Sequence, residues 1–182
     1  MKKIILTSTG LENVNIKTKF IEMLDTDIKN VKVLFIITAA NDPDALRVLP
    51  SCLDDLTNCG IVDANIKVYD MYELISQEEI NTYNAIYVCG GSTEYLASRM
   101  REIKFRGVID EYLNRGGVYL GVSAGSVCAS GEYKGCLDFI KNKLDVHRDD
   151  FTSNGIITDT RDIFLSDEQA LIITDDKLEI IS

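Results

Sequence analysis

Val118-Tyr119-Leu120-Gly121-Val122-Ser123-Ala124-Gly125-Ser126 carries the decisive pattern of this 182-residue chain. The apolar run Val118–Gly121 predicts a strand, and the residues after Ser123 predict a helix to about Ser130. Between them stands G-x-S-x-G, the nucleophile-elbow pattern, in the strand-to-helix context that it requires. A Ser on so sharp a turn projects its hydroxyl into a crevice. The flanking glycines remove Cβ atoms that would clash where strand and helix pass. The Ala124 amide then points to where an oxyanion would develop, and the start of a helix adds a favourable dipole.

The rest of the chain repeats the alternation. Strands are predicted at Lys3–Thr7, Lys32–Thr38, Asn65–Tyr69 and Ala85–Cys89. Between them, Asn15–Leu24 spaces Ile16, Phe20, Ile21 and Leu24 as one helical face. Asp42-Pro43 supplies an N-cap and a first-turn proline for a helix carrying Leu46, Leu49, Leu53 and Leu56, which stops near Gly60. Ser76 with Glu79 has capping-box spacing. Helices follow at Ser92–Arg101 and Val108–Asn114, and short strand-like runs at Ile163–Leu165, Ala170–Thr174 and Leu178–Ile181. Strands and helices in this order imply an α/β fold, a mostly parallel sheet with helices on both faces. The length fits one domain, residues 1–182. Ligands of such sheets sit beyond the carboxyl ends of the strands.

Charge and composition exclude several classes. Asp plus Glu is 29 against Lys plus Arg at 19, a net charge of -10. A surface of that sign repels phosphate backbones and anionic lipid, so neither nucleic acid nor membrane is an expected partner. Ile4-Ile5-Leu6 after Met1-Lys2-Lys3 is too short for a secretion signal, which points to the cytoplasm. The five cysteines are scattered and form no CxxC, and there is one His, so neither a metal nor another cofactor is expected. The edge strands, Asn65–Tyr69 or Ile163–Leu165, would serve a homodimer.

A second strand end is also glycine-rich. In Cys89-Gly90-Gly91-Ser92-Thr93 the backbone amides can approach a ligand closely, and Gly91 is the natural second oxyanion donor beside Ala124. A Ser hydroxyl needs a base within hydrogen-bond reach. His147, the sole His of the sequence, stands 24 residues after Ser123 at the end of Leu144-Asp145-Val146-His147. The base in turn needs an orienting carboxylate. Glu132, Asp138, Asp145, Asp149 and Asp150 all lie nearby, and the residues alone leave that choice open.

The pair Val88-Cys89-Gly90-Gly91-Ser92-Thr93 and Gly121-Val122-Ser123-Ala124-Gly125-Ser126 resembles the dipeptidase E (aspartyl dipeptidase) family of serine peptidases, with cyanophycinase as a relative. The resemblance implies a class I glutamine amidotransferase-like fold, a flavodoxin-like three-layer sandwich. It implies a serine-type hydrolase of small peptides with Ser123 as nucleophile and His147 as base. By the family's order, with the acid between elbow and His, it implies Glu132 as third member. Gly90, Ser92 and Thr93 become substrate-binding positions, Ser92 standing where the family usually has Asn. The Arg-containing segment that grips an aspartyl carboxylate has no counterpart here, and Arg148 and Arg161 are its substitutes. Two other readings share the crevice: a non-catalytic small-ligand binder or sensor, and an esterase-type acyl hydrolase. Cys128 lies five residues beyond the elbow position, which disfavours the Cys-based chemistry of related folds.

Overall fold

The computed structural model describes residues 2–131 and 133–182. One eight-stranded sheet dominates it. The parallel half is built from β1 (Lys3–Thr7), β2 (Val33–Ile36), β3 (Ile66–Tyr69), β4 (Ala85–Val88) and β5 (Val118–Val122). Their spatial order is β3-β2-β4-β5-β1, all pairs parallel. The sheet continues in antiparallel fashion from β1 through β9 (Ala170–Thr174) and β10 (Lys177–Ile181) to β7 (Gly155–Ile157). A separate parallel pair joins β6 (Leu144–Asp145) to β8 (Ile163–Phe164). The fold is therefore the mostly parallel α/β sheet expected, with an antiparallel extension at one side.

Alternation along the strands divides the core into two layers, because successive side chains leave opposite faces. Ile5, Val33, Phe35, Tyr87 and Leu120 face α1 (Val14–Leu24) and α2 (Pro43–Asn58), packing with Phe20 and Leu56. Ile4, Leu6, Ile86, Val88 and Tyr119 face the opposite layer. There they meet Ile80 of α3 (Gln77–Ile80), Leu96 of α4 (Thr93–Glu102) and Ile109 of α5 (Phe105–Asn114). Continuous apolar strands are what a sheet covered on both faces needs.

The helix starts follow their caps. Asp42 accepts from the Asp44 and Ala45 amides at 2.9 and 3.0 Å, and Pro43 takes the first helical position. Ser76 accepts from the Glu79 amide, and Ser92 from that of Tyr95. Two expectations need correction. The apolar face of α2 is narrower than its leucines suggest, since Leu46 is 49% exposed while Leu56 is buried. In α1, Met23 is buried where Ile21 is 37% exposed. Both helices lie against a twisted sheet that covers only part of the stripe. No helix among the described residues is long and apolar enough to cross a membrane.

Candidate active site

The elbow is a local construction. Ser123 has φ 49° and ψ -110°, a conformation that costs a non-glycine residue about 1–3 kcal/mol and persists only where its surroundings impose it. They do so here. The Ser123 amide donates to the Thr7 carbonyl at 2.9 Å. The buried Ser126 hydroxyl lies 2.7 Å from the carbonyl oxygens of both Thr7 and Gly121. Tyr119, also buried, donates its hydroxyl to the Gly125 carbonyl at 2.8 Å. A Cβ on Gly121 would sit 2.6 Å from the Gly125 carbonyl oxygen, and one on Gly125 2.3 Å from that of Val88. Those two glycines let α6 (Ala124–Val127) fold directly back over β5 and β4. The helical path then continues as a 3-10 turn, Cys128–Ser130.

Ser123 Oγ lies 3.1 Å from His147 Nε2, and His147 Nδ1 lies 2.6 Å from Asp167 Oδ1. Serine, imidazole and carboxylate thus form one chain of hydrogen bonds at the carboxyl end of the sheet. The imidazole and carboxylate are about half open to solvent, with side chains 48% and 59% exposed.

Long-range bonds position this second half. Pairing of β6 with β8 sets Leu144 opposite Ile163 and Asp145 opposite Phe164. The Arg148 amide donates to the Leu165 carbonyl, and the Leu165 amide to that of Asp145. Beyond β1, the Ser8 hydroxyl accepts from the His147 amide at 3.2 Å and lies 3.0 Å from the Ser166 carbonyl oxygen. Thr9 donates its hydroxyl to the Asp167 carbonyl at 2.8 Å. Ser8 and Thr9 therefore tie both loops to the end of one central strand. His147 itself adopts φ 57°.

Across the crevice, Gly90 and Gly91 line the same cavity as Ser123 and His147, with a volume of about 520 Å3. A Cβ on Gly90 would sit 3.0 Å from that of Ser123, so this loop lies directly against the serine. Gly91 has φ 132°, and a Cβ there would lie 2.1 Å from the Ala39 carbonyl oxygen, a place that only glycine fits. Ala124 takes the first helical position of α6, where an amide has no intrahelical acceptor.

Other expected positions fall elsewhere. Ser92 caps α4, and the Thr93 carbonyl faces the Cys128 thiol at 3.7 Å; neither lines the crevice. Arg148 is not directed at the serine. Its guanidinium binds Asp145 and Asp150 at 2.7–2.8 Å and stacks 4.7 Å from the Phe164 ring centroid. Arg161 is likewise bound to Asp159. Glu132 lies outside the described residues, and the acid on the imidazole is Asp167. Asp145 and Asp150 are engaged by Arg148, which removes them from that place. Asp167 stands outside the stretch between the elbow and Asp150 in which the sequence leads one to expect the orienting acid. The sequence carries only a weak signal for it, an acid in the loop Ser166-Asp167-Glu168-Gln169 between two strand-like runs, Ile163–Leu165 and Ala170–Thr174. A strand-end acid is where an imidazole on a neighbouring strand end finds its partner. Among the described residues no group of three or more His, Cys, Asp or Glu is arranged to hold a metal.

Comparison with known proteins agrees with the fold. The chain is similar to a structure described as a peptidase E protein from Listeria monocytogenes EGD-e, with 21% identity and a TM-score of 0.76 over 100% of this chain and 98% of that one. It is similar also to a peptidase from an acI-B1 Actinobacterium, at 17% identity and a TM-score of 0.68, covering 100% of this chain and 88% of that one. No curated protein matches it. The model of peptidase family S51 matches residues 4–147, from β1 through His147. The chain belongs to peptidase family S51 and is a peptidase.

Proposed function

We propose that the protein is a serine-type hydrolase of small peptides that works through an acyl-enzyme. The observation that carries this reading is the hydrogen-bonded chain Ser123–His147–Asp167, with its serine on a strained elbow. Asp167 at Nδ1 favours the tautomer with its proton on that nitrogen, which leaves the Nε2 lone pair facing the serine hydroxyl. Ser123 Oγ attacks the scissile carbonyl as Nε2 takes its proton. The imidazolium then returns that proton to the departing amine. Water repeats the sequence on the acyl-enzyme, with His147 as base again.

Charge forms on the carbonyl oxygen, and the Gly91 and Ala124 amides are the donors for it. Backbone donors need no reorganisation as that charge appears, and each contributes on the order of 10²–10³ in rate. Bound substrate covers the exposed His147–Asp167 pair and strengthens it by excluding water. The distance between Ser123 and His147 is already within reach of proton transfer, so the site needs no large rearrangement to act.

A fluorophosphonate probe tests the reading. Labelling is expected at Ser123 in the folded protein and none is expected for Ser123→Ala. Folded wild-type protein that resists the probe and turns over no peptide would instead be a binder. Ester turnover without peptide turnover would make it an esterase.

A further inference from the structure

We infer that the crevice beside Ser123 takes a substrate whose acyl half carries a cationic nitrogen, and that Asp55 is the carboxylate that binds it. The inference rests on the peptidase reading, since it concerns the same crevice. Asp55 projects from α2 and is 8% exposed. It lines the cavity that holds Ser123 and His147. Its Oδ2 accepts two hydrogen bonds, from the Leu11 amide at 3.1 Å and the Tyr87 hydroxyl at 2.8 Å. A Cβ on Gly10 would come within 2.2 Å of that same oxygen, so the turn after β1 is built around the carboxylate.

The second oxygen is different. No donor among the described residues reaches Oδ1, and it is not among the sealed, unpartnered atoms, so it keeps some access to solvent while Asp55 lines both neighbouring cavities. Lys17 lines the neighbouring cavity together with Glu12, Asp54 and Asp55 itself, but among the described residues it makes no ion pair with Asp55. Burial holds the Asp55 carboxyl above the usual carboxylate range, and the charges of Glu12 and Asp54 act in the same direction. A carboxylate buried to this extent, with one oxygen left without a donor, is costly without a cation.

The remainder of the crevice fits the same ligand. Glu12 and Asp44 share its lining, and among the described residues no Lys or Arg does. Asp44 pairs with Arg47 outside the cavity, in a contact largely open to solvent. Ala45, Val48 and Cys52 offer apolar wall for a methylene stem. An aspartyl acyl group would meet three carboxylates and no cation here. The substrate class therefore departs from the aspartyl peptides that the family resemblance suggests. The cation is either a free α-amino group or a basic side chain, and one experiment separates them.

The test compares p-nitroanilides of lysine, norleucine, N-acetylnorleucine and aspartate on the full-length protein. Lysine over norleucine reads the side-chain cation, and norleucine over N-acetylnorleucine reads the α-amino group. At least one ratio of kcat/KM is expected to exceed about tenfold, the lower end of what a single methylene gives and far below the roughly 10⁴–10⁵ of a site fully built around a polar group, with the aspartyl substrate slowest of the free-amine set. Asp55→Asn keeps the shape and the acceptor for Leu11 and Tyr87, and should bring that ratio to near one. Calorimetric binding of lysinamide against N-acetylnorleucinamide to wild-type protein reads the same preference with no variant and no turnover. Both ratios near one, an aspartyl substrate that is fastest, or a folded Asp55→Asn that keeps the preference overturns the inference. Turnover of all substrates alike leaves the peptidase reading standing without the cation site. Lysinamide binding without any turnover does the reverse.

Discussion

The two halves of the site are held by different physics. Ser123 stands on nine consecutive residues whose glycines, buried Ser126 and strand-to-helix turn define the geometry almost by themselves. His147 and Asp167 lie 20 residues apart on open loops and meet only through distant contacts, with Ser8 and Thr9 of the first strand end as the common anchor. The first half can be read from a motif. The second is a property of the assembled sheet. A strained serine can be encoded by a local kink, whereas the imidazole and carboxylate that line up with it need the whole topology.

Substitutions test that contrast. Ser123→Ala should lower kcat by about 10⁵–10⁶ with the circular dichroism and melting temperature unchanged, as loss of a serine nucleophile does elsewhere. Retained peptide turnover would end the assignment. Asp167→Asn should cost about 10⁴ in kcat, since the amide favours the wrong imidazole tautomer. The same assay on Glu132→Gln decides between the two acids; a larger loss there would return the orienting role to the residue between elbow and His.

Stability separates the halves in another way. Gly121→Ala should destabilise the fold by about 1–3 kcal/mol, read as a lowered urea midpoint, because the added methyl is driven into the Gly125 carbonyl. An unchanged midpoint would mean that the elbow is less tightly enclosed than described. Ser8→Ala removes one acceptor and one donor at a cost of about 1 kcal/mol, so kcat should fall only about fivefold to tenfold while fluorophosphonate labelling of Ser123 slows in parallel. If Ser8→Ala were as damaging as Asp167→Asn, the anchor would be part of the chemistry itself and the contrast would collapse.

The sheet was legible because its strands are continuous apolar runs and its helices carry ordinary caps. Asp42-Pro43, Ser76 and Ser92 all start helices where their side chains suggest. The antiparallel flank was legible only as separate strands, since nothing in Ala170–Thr174 states that it pairs with Lys3–Thr7. His147 could be picked out because no other imidazole exists in the sequence. Asp167 could not be picked out in the same way, since any of 29 acids can occupy a loop and only the β6–β8 pairing says which one turns toward the ring. Arg148 is the reverse case: a cation next to His147 is satisfied by its own loop's acids, Asp145 and Asp150.

The place of β1 has a consequence for biosynthesis. It is translated before the other strands of this sheet, yet one side of it is completed only by β9, and the residues just past its end wait for Ser166 and Asp167. A nascent chain that has emerged as far as β5 already displays the kinked serine but has neither imidazole nor acid beside it. The hydrogen-bonded row of serine, imidazole and carboxylate therefore closes only after Asp167 has emerged and docked.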